Sequence, residues 1–291
     1  MKTEIKRWIL FVLLAFGISW GFILLFDFLF RGYRESADYS QRIALGSMIA
    51  SMAPGIASLL VRLITKEGFQ NIGLRIQGRD VAKLPNGRRT TVICYTLALI
   101  VPVLVAIGEM VLYWIYDRDA VGTDVSLLAT SSYLFSSLAS TFAVILFATL
   151  GEELGWRGYL FVKLEQTVGV GWGVVLTGVI WGIWHLIRYT GGGLSAGTVA
   201  GLVLSDVVVL TCYGAFFILV TKKTGSVYPA AIAHAAMNCC NATAQSVFTP
   251  EAVKEISEAS VLSADFLIYN IPVFLLGIIS CIMVVSKKKG C

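Results

Sequence analysis

The chain has 291 residues, 57% of them hydrophobic and only 14% charged, with a mean hydropathy of +0.78. Soluble globular proteins average about 45–50% apolar and about 25% charged, so a soluble body with a membrane anchor is excluded in favour of a chain that is membrane-embedded almost throughout. The net charge of +5 comes from basic residues that alternate between loops, which is a topology signal and speaks against nucleic acid as a partner.

Apolar blocks of spanning length, about 20 residues each, predict eight transmembrane helices. In chain order they are 8–30, 43–64, 91–116, 132–160, 172–189, 197–220, 228–248 and 266–285. The first follows Lys2, Lys6 and Arg7 and is too long for a signal-peptide core, so it reads as a span. Loop 65–90 carries Lys66, Arg75, Arg79, Lys83, Arg88 and Arg89 against Glu67 and Asp80. Loop 117–131 is acidic, with Arg118 against Asp117, Asp119 and Asp124. Loop 221–227 has Lys222 and Lys223, loop 249–265 has Lys254 against Glu251, Glu255, Glu258 and Asp265, and the tail has Lys287, Lys288 and Lys289. Basic segments stay on the cytoplasmic side, so both termini are expected there; loop 31–42, with Arg31, Arg34 and Arg42, fits its predicted outer position least well. The expected architecture is an all-α polytopic bundle. It divides into N-terminal spans over 1–130, a catalytic core over 131–250, and a last span with a basic tail over 251–291.

The six cysteines show neither zinc-ribbon nor disulfide-framework spacing and read as small hydrophobes. Polar groups inside the apolar blocks are more informative, because ionisable side chains at membrane depth are costly to place there. Three groups stand out: Glu152-Glu153-Leu-Gly-Trp-Arg157, Trp181-Gly-Ile-Trp-His185 and His234-Ala-Ala-Met-Asn238, which contain the chain's only two histidines. Residues four apart share a helix face, so Glu153 and Arg157 can pair, while Glu152 points about 100° away from Glu153. A carboxylate and an imidazole can take a proton from water, and an imidazole with a carboxamide can donate to an oxyanion. The inventory suits hydrolysis. Glu152, His185 and His234 are also plausible zinc ligands with one position open, although no HExxH spacing supports a metal. A thiol nucleophile at Cys239 or Cys240 is disfavoured by apolar surroundings. Glu109 and Asp206 also lie deep in spans, with helix–helix hydrogen bonding or a substrate role both open.

In this order and on successive spans, the three groups resemble the type II CAAX-processing endopeptidase family of intramembrane proteases, also called the CPBP or ABI family, whose pattern is EExxxR, aromatic-xxxH and HxxxN. The motif region covers about 152–238. The resemblance implies a helical membrane fold with a cavity opening to the cytosol and bilayer. It implies Glu152 as water-activating base helped by His185, His234 and Asn238 as the oxyanion pair, and Glu153 with Arg157 as a supporting ion pair. Trp181 stands where phenylalanine is common and is expected to shape a substrate-cavity wall. No cofactor is expected, with zinc as the alternative. The partners implied are the lipid bilayer and a peptide, lipidated or membrane-protein substrate, and the compact, basic-looped chain suggests a prokaryotic plasma membrane. The competing functions are a non-catalytic scaffold or immunity-type peptide binder of the same fold, and a small-solute transporter. One geometric problem is visible in advance. Counted from the edges of their spans at 1.5 Å per residue, His185 lies about 20 Å deep and His234 about 9 Å. Convergence then requires span five to begin deeper, with 161–171 forming a re-entrant or lateral stretch.

Overall fold

A computed structural model describes the chain except for residues 31, 33–38, 122–141, 143–144, 191–192 and 287–291, together with the side chains of 39–44 and 244–246. The described residues form a helical bundle without strands, and five helices are long and apolar enough to cross a membrane. Most of loop 31–42, the inner part of loop 117–131, the first part of span 132–160 and the basic tail lie outside the described residues.

In chain order the helices are α1 (Lys2–Phe30), α2 (Tyr39–Ala50), α3 (Ala53–Ile64), the single turn α4 (Arg79–Ala82), α5 (Gly87–Tyr116), α6 (145–155), α7 (Phe161–Val168), α8 (Val170–Trp184), α9 (Ala196–Thr224), α10 (Tyr228–Val247), α11 (Pro250–Glu258), α12 (Ala264–Tyr269) and α13 (Ile271–Val285). Two predicted spans are broken. Span 43–64 is interrupted between α2 and α3, where Pro54 opens the second helix, and span 266–285 is interrupted at Asn270, with Pro272 at the start of α13. Proline lacks the N–H that a continuing helix needs, so it starts a helix more readily than it sits within one. Loop 249–265 also contains helix, α11, capped by the Thr249 hydroxyl on the Ala252 N–H.

Between α6 and α7 the chain makes a π-turn over Trp156–Leu160, all five residues buried. Wide turns of this kind are uncommon and cluster at functional sites. The reversal into α8 comes at Gly169, whose φ of +83° suits glycine.

Two glycine pairs set the helix spacing. Gly151 and Gly155 lie against the start of α3: a Cβ on Gly155 would fall 2.4 Å from the Cβ of Pro54, and one on Gly55 would fall 2.8 Å from the Gly151 carbonyl oxygen. Gly178 and Gly182 lie against α9, where added Cβ atoms would stand 2.1 Å from the Thr211 hydroxyl and 2.6 Å from the Val207 Cα. Small residues four apart let membrane helices approach closely. Here each pair brackets or adjoins a chemical residue, Glu152 and Glu153 in the first case and Trp181 in the second.

The basic end of the bundle is tied together by charge. Lys163 of α7 pairs with Glu4 at 2.8 Å and also with Glu67, while Arg62, Arg7 and the Tyr159 hydroxyl converge on the same Glu67. Arg62, in the last turn of α3, is buried there with its guanidinium over the Tyr159 ring.

Candidate functional site

The site is assembled by α6, α8, α9 and α10. Glu153 is fully buried, and its Oε1 accepts from Arg157 Nη1–H at 2.8 Å and from His234 Nδ1–H at 2.9 Å. The fully buried Arg157 guanidinium lies over the rings of Trp181 at 4.1 Å and Phe217 at 5.0 Å. Gly214 makes room for it, since a Cβ there would be 3.1 Å from Nη2. Phe217 also stacks on the His234 ring at 5.5 Å. One carboxylate therefore serves two cationic or polar donors inside an aromatic cage, and the charge of Arg157 is matched both by an anion and by ring faces.

Trp181, expected on a cavity wall, is fully buried. Its indole N–H donates to Glu152 Oε2 at 3.0 Å, while its backbone carbonyl accepts from His185 Nδ1 at 2.9 Å. Because a carbonyl only accepts, that bond places the proton on Nδ1 and leaves the Nε2 lone pair of neutral His185 available. Glu152 Oε1 has no hydrogen-bond partner among the described residues. Thus one tryptophan holds both Glu152 and His185, each with one basic atom unused. The rings of His185 and His234 lie 6.0 Å and 5.2 Å from that of Trp181. Asn238, one turn beyond His234 on α10, is partly exposed, and its side chain makes no hydrogen bond among the described residues.

The depth problem disappears for a reason the span edges concealed. Gly169 is 16 positions from both Glu153 and His185, so in the α6–α7/α8 hairpin the two stand at about equal height, roughly 24 Å from the reversal. The turn between α9 and α10 meets this hairpin at Gly158, whose added Cβ would be 3.2 Å from Val227. From there to Val168 the hairpin runs on for about 15 Å. Residues 161–168 are regular helix running on past the Gly158–Val227 contact, so α8 starts farther from that contact than α10 does.

Among the described residues no group of three or more His, Cys, Asp or Glu side chains is arranged to hold a metal ion, so Glu152, His185 and His234 do not form a ligand set there and no step is derived through zinc. Among the described residues no disulfide joins the five cysteines. Two cavities among the described residues are not lined by Glu152, His185, His234 or Asn238. One, of about 700 Å³, opens at the basic end and includes Arg157 and Gly158; the other, of about 260 Å³, lies toward the opposite end. Sequence reasoning missed the aromatic Phe217 and the two glycine pairs, although the Gly-xxx-Gly spacing of 151/155 and 178/182 is visible in the chain.

Comparison with known proteins bears on this assembly. Residues 134–240 match the family model described as Rce1-like, the type II CAAX prenyl endopeptidases. Over this stretch the chain is similar to that family. The match takes in all three polar groups, from Glu152 to Asn238, and ends on α10. That similarity to CAAX-protease-like endopeptidases, together with five helices long and apolar enough to cross a membrane, supports an integral membrane protein. No curated protein matches the chain.

Proposed function

We propose that the protein is a metal-free intramembrane endopeptidase that cleaves a peptide bond at or within the membrane. The observation that carries this reading is the double use of Trp181, which binds Glu152 through its side chain and His185 through its backbone. Glu152 takes a proton from water whose second hydrogen bond goes to His185 Nε2, and the resulting hydroxide attacks the scissile carbonyl. His234, carrying protons on both nitrogens, donates through Nε2 to the developing oxyanion together with the Asn238 amide. Glu153 balances the charge of that imidazolium, and the proton held by Glu152 passes to the leaving amine. The free Asn238 amide and the carboxylate on His234 Nδ1 support these assignments. The basic loops support a cytoplasmic side for both termini, in what we take to be a prokaryotic plasma membrane, and the substrate class is a peptide or a lipidated or membrane-anchored protein.

The test is cleavage by purified protein in lipid vesicles, with substrates found by mass spectrometry of peptides that accumulate in cells carrying Glu152→Ala. Glu152→Gln and His185→Ala should each lower turnover by about 10²–10⁴-fold, the range for a positioned acid–base group, with thermal unfolding unchanged. A cellular effect that survives Glu152→Gln would instead make the chain a non-catalytic peptide-binding relative.

A further inference from the structure

The smaller cavity, on the side away from the basic end, contains ionisable groups that the reaction above does not use. Glu109 of α5 is only 2% exposed, lines this cavity, and its Oε2 has no hydrogen-bond partner among the described residues. Across from it, Asp206 of α9 accepts from the Tyr189 hydroxyl at 2.8 Å. An unpaired buried carboxylate is costly unless it meets a cation or takes up a proton. Helix–helix hydrogen bonding, the simplest role for such a residue, does not account for Glu109, because no described side chain bonds to its Oε2.

The position of the cavity relates it to the reaction. Three of its lining residues lie one turn beyond a residue of the candidate site, on three different elements and in the same direction. Tyr189 follows His185 by four positions, Asn241 follows Asn238 by three, and Tyr213 precedes Phe217 by four on the antiparallel α9. One helical turn is about 5.4 Å, close to the reach of one or two residues of an extended peptide, at about 3.3 Å each. At about 260 Å³ the cavity is smaller than pockets for drug-sized ligands, which run about 300–1,000 Å³, and is suited to a single long side chain. Its outer cover, α11, exposes Glu251, Glu255 and Glu258 around Lys254, an acidic approach that attracts cations.

The geometry points to a specificity subsite in which Glu109 and Asp206 receive one cationic side chain, lysine or arginine, of the substrate peptide a residue or two from the scissile bond. This rests on the endopeptidase reading and names the substrate feature it selects. Glu109 and Asp206 act on which peptide is held and take no part in the water attack.

The probe is a set of apolar peptide pairs, identical except for lysine or norleucine at one position, with that position moved along the chain. Binding is measured to the Glu152→Gln protein in vesicles, so that turnover does not intervene. At one position the lysine peptide should bind about tenfold more tightly or better, as expected for one charge-assisted contact. Glu109→Gln combined with Asp206→Asn should bring the ratio near one and leave the norleucine peptide's affinity unchanged. The lysine-to-norleucine comparison is made on a single protein, so it stands even if the double variant does not fold. A ratio near one at every position overturns the subsite, as does a preference that survives the double substitution. Release of the preference by sodium chloride equally at all positions assigns the carboxylates to an inorganic cation and likewise overturns it. Equal cleavage of both peptides by the unaltered protein removes the subsite but leaves the endopeptidase. A lysine preference in binding with no cleavage of either peptide removes the endopeptidase and leaves the cation site.

Discussion

Glu152 and Glu153 are neighbours in sequence yet occupy opposite kinds of surroundings. Glu153 has its Oε1 shared by Arg157 and His234, within walls formed by Trp181 and Phe217, and is fully buried. Glu152 has a single described partner, the Trp181 indole, and keeps an oxygen unused. A step of about 100° around the helix separates a carboxylate that holds the bundle together from one that is left available for proton transfer. The same division runs through the histidines. His234 is buried and bound to the structural carboxylate, whereas His185 is partly exposed and bound to a backbone carbonyl. A reactive group can stay underused at membrane depth because its neighbour's charge is compensated nearby.

The largest expected effect follows from breaking the structural half. Glu153→Gln strands the Arg157 cation among aromatic rings with no anion, and loss of one partner of a buried pair costs about 3–5 kcal/mol. Thermal unfolding in detergent should shift strongly for Glu153→Gln and little for Glu152→Gln; equal shifts would erase the distinction between the two carboxylates. A smaller effect is expected from Trp181→Phe, which keeps an aromatic ring beside Arg157 and keeps the backbone carbonyl that orients His185. It removes only the donor to Glu152. A hydrogen bond to a charged group contributes about 1.5–3 kcal/mol, so kcat/KM should fall about 10- to 150-fold with stability largely retained. Unchanged kinetics would mean that Glu152 is positioned by something other than the indole.

The pairing of Glu153 with Arg157 was legible from spacing alone, because four residues make one helical face, and so was the grouping of three polar couples as a single site. What spacing could not supply was the identity of each group's partner across helices. Nothing in Trp181-Gly-Ile-Trp-His185 distinguishes an indole on a cavity wall from one that donates to a carboxylate on another helix. The predicted conflict in depth arose from measuring each residue against the edge of its own apolar block. Apolar blocks report which residues tolerate lipid, and they do not report how far one hairpin projects past the next. The continuation of α6 through a π-turn into α7 has no strong sequence signal, since Trp156–Leu160 contains neither proline nor a glycine pair. The breaks at 51–52 and at Asn270 had one in Pro54 and Pro272, which hydropathy averages over.

The glycine pairs give the next test of how the two halves are held in register. Gly182→Ala introduces a methyl where a Cβ would lie 2.6 Å from the Val207 backbone, so α8 must move away from α9 and carry Trp181 with it. Overpacking of this kind costs about 1–3 kcal/mol. Gly17→Ala in α1 is the control, because a Cβ there meets nothing within 4 Å, and replacing a helical glycine should then stabilise by up to about 1 kcal/mol. Opposite signs for the two substitutions are expected in thermal unfolding, and the same sign for both would mean that α8 and α9 are not in close contact at Gly182.

The smallest effect is expected at the tip of the projecting hairpin, where Lys222 at the end of α9 pairs with Glu165 of α7, both about one-third exposed. Exposed pairs contribute about 0–1 kcal/mol and are weakened as added salt shortens the Debye length, about 10 Å at 0.1 M. Lys222→Ala should therefore shift unfolding by less than about 1 kcal/mol, and by less still at high salt. The equal heights of Glu153 and His185 depend on the Gly169 reversal and on the glycine-to-backbone contacts below it, so loss of this pair should leave turnover intact. A drop in turnover without a drop in stability would show that the hairpin tip, and with it the height of His185, is set by charge at the basic end.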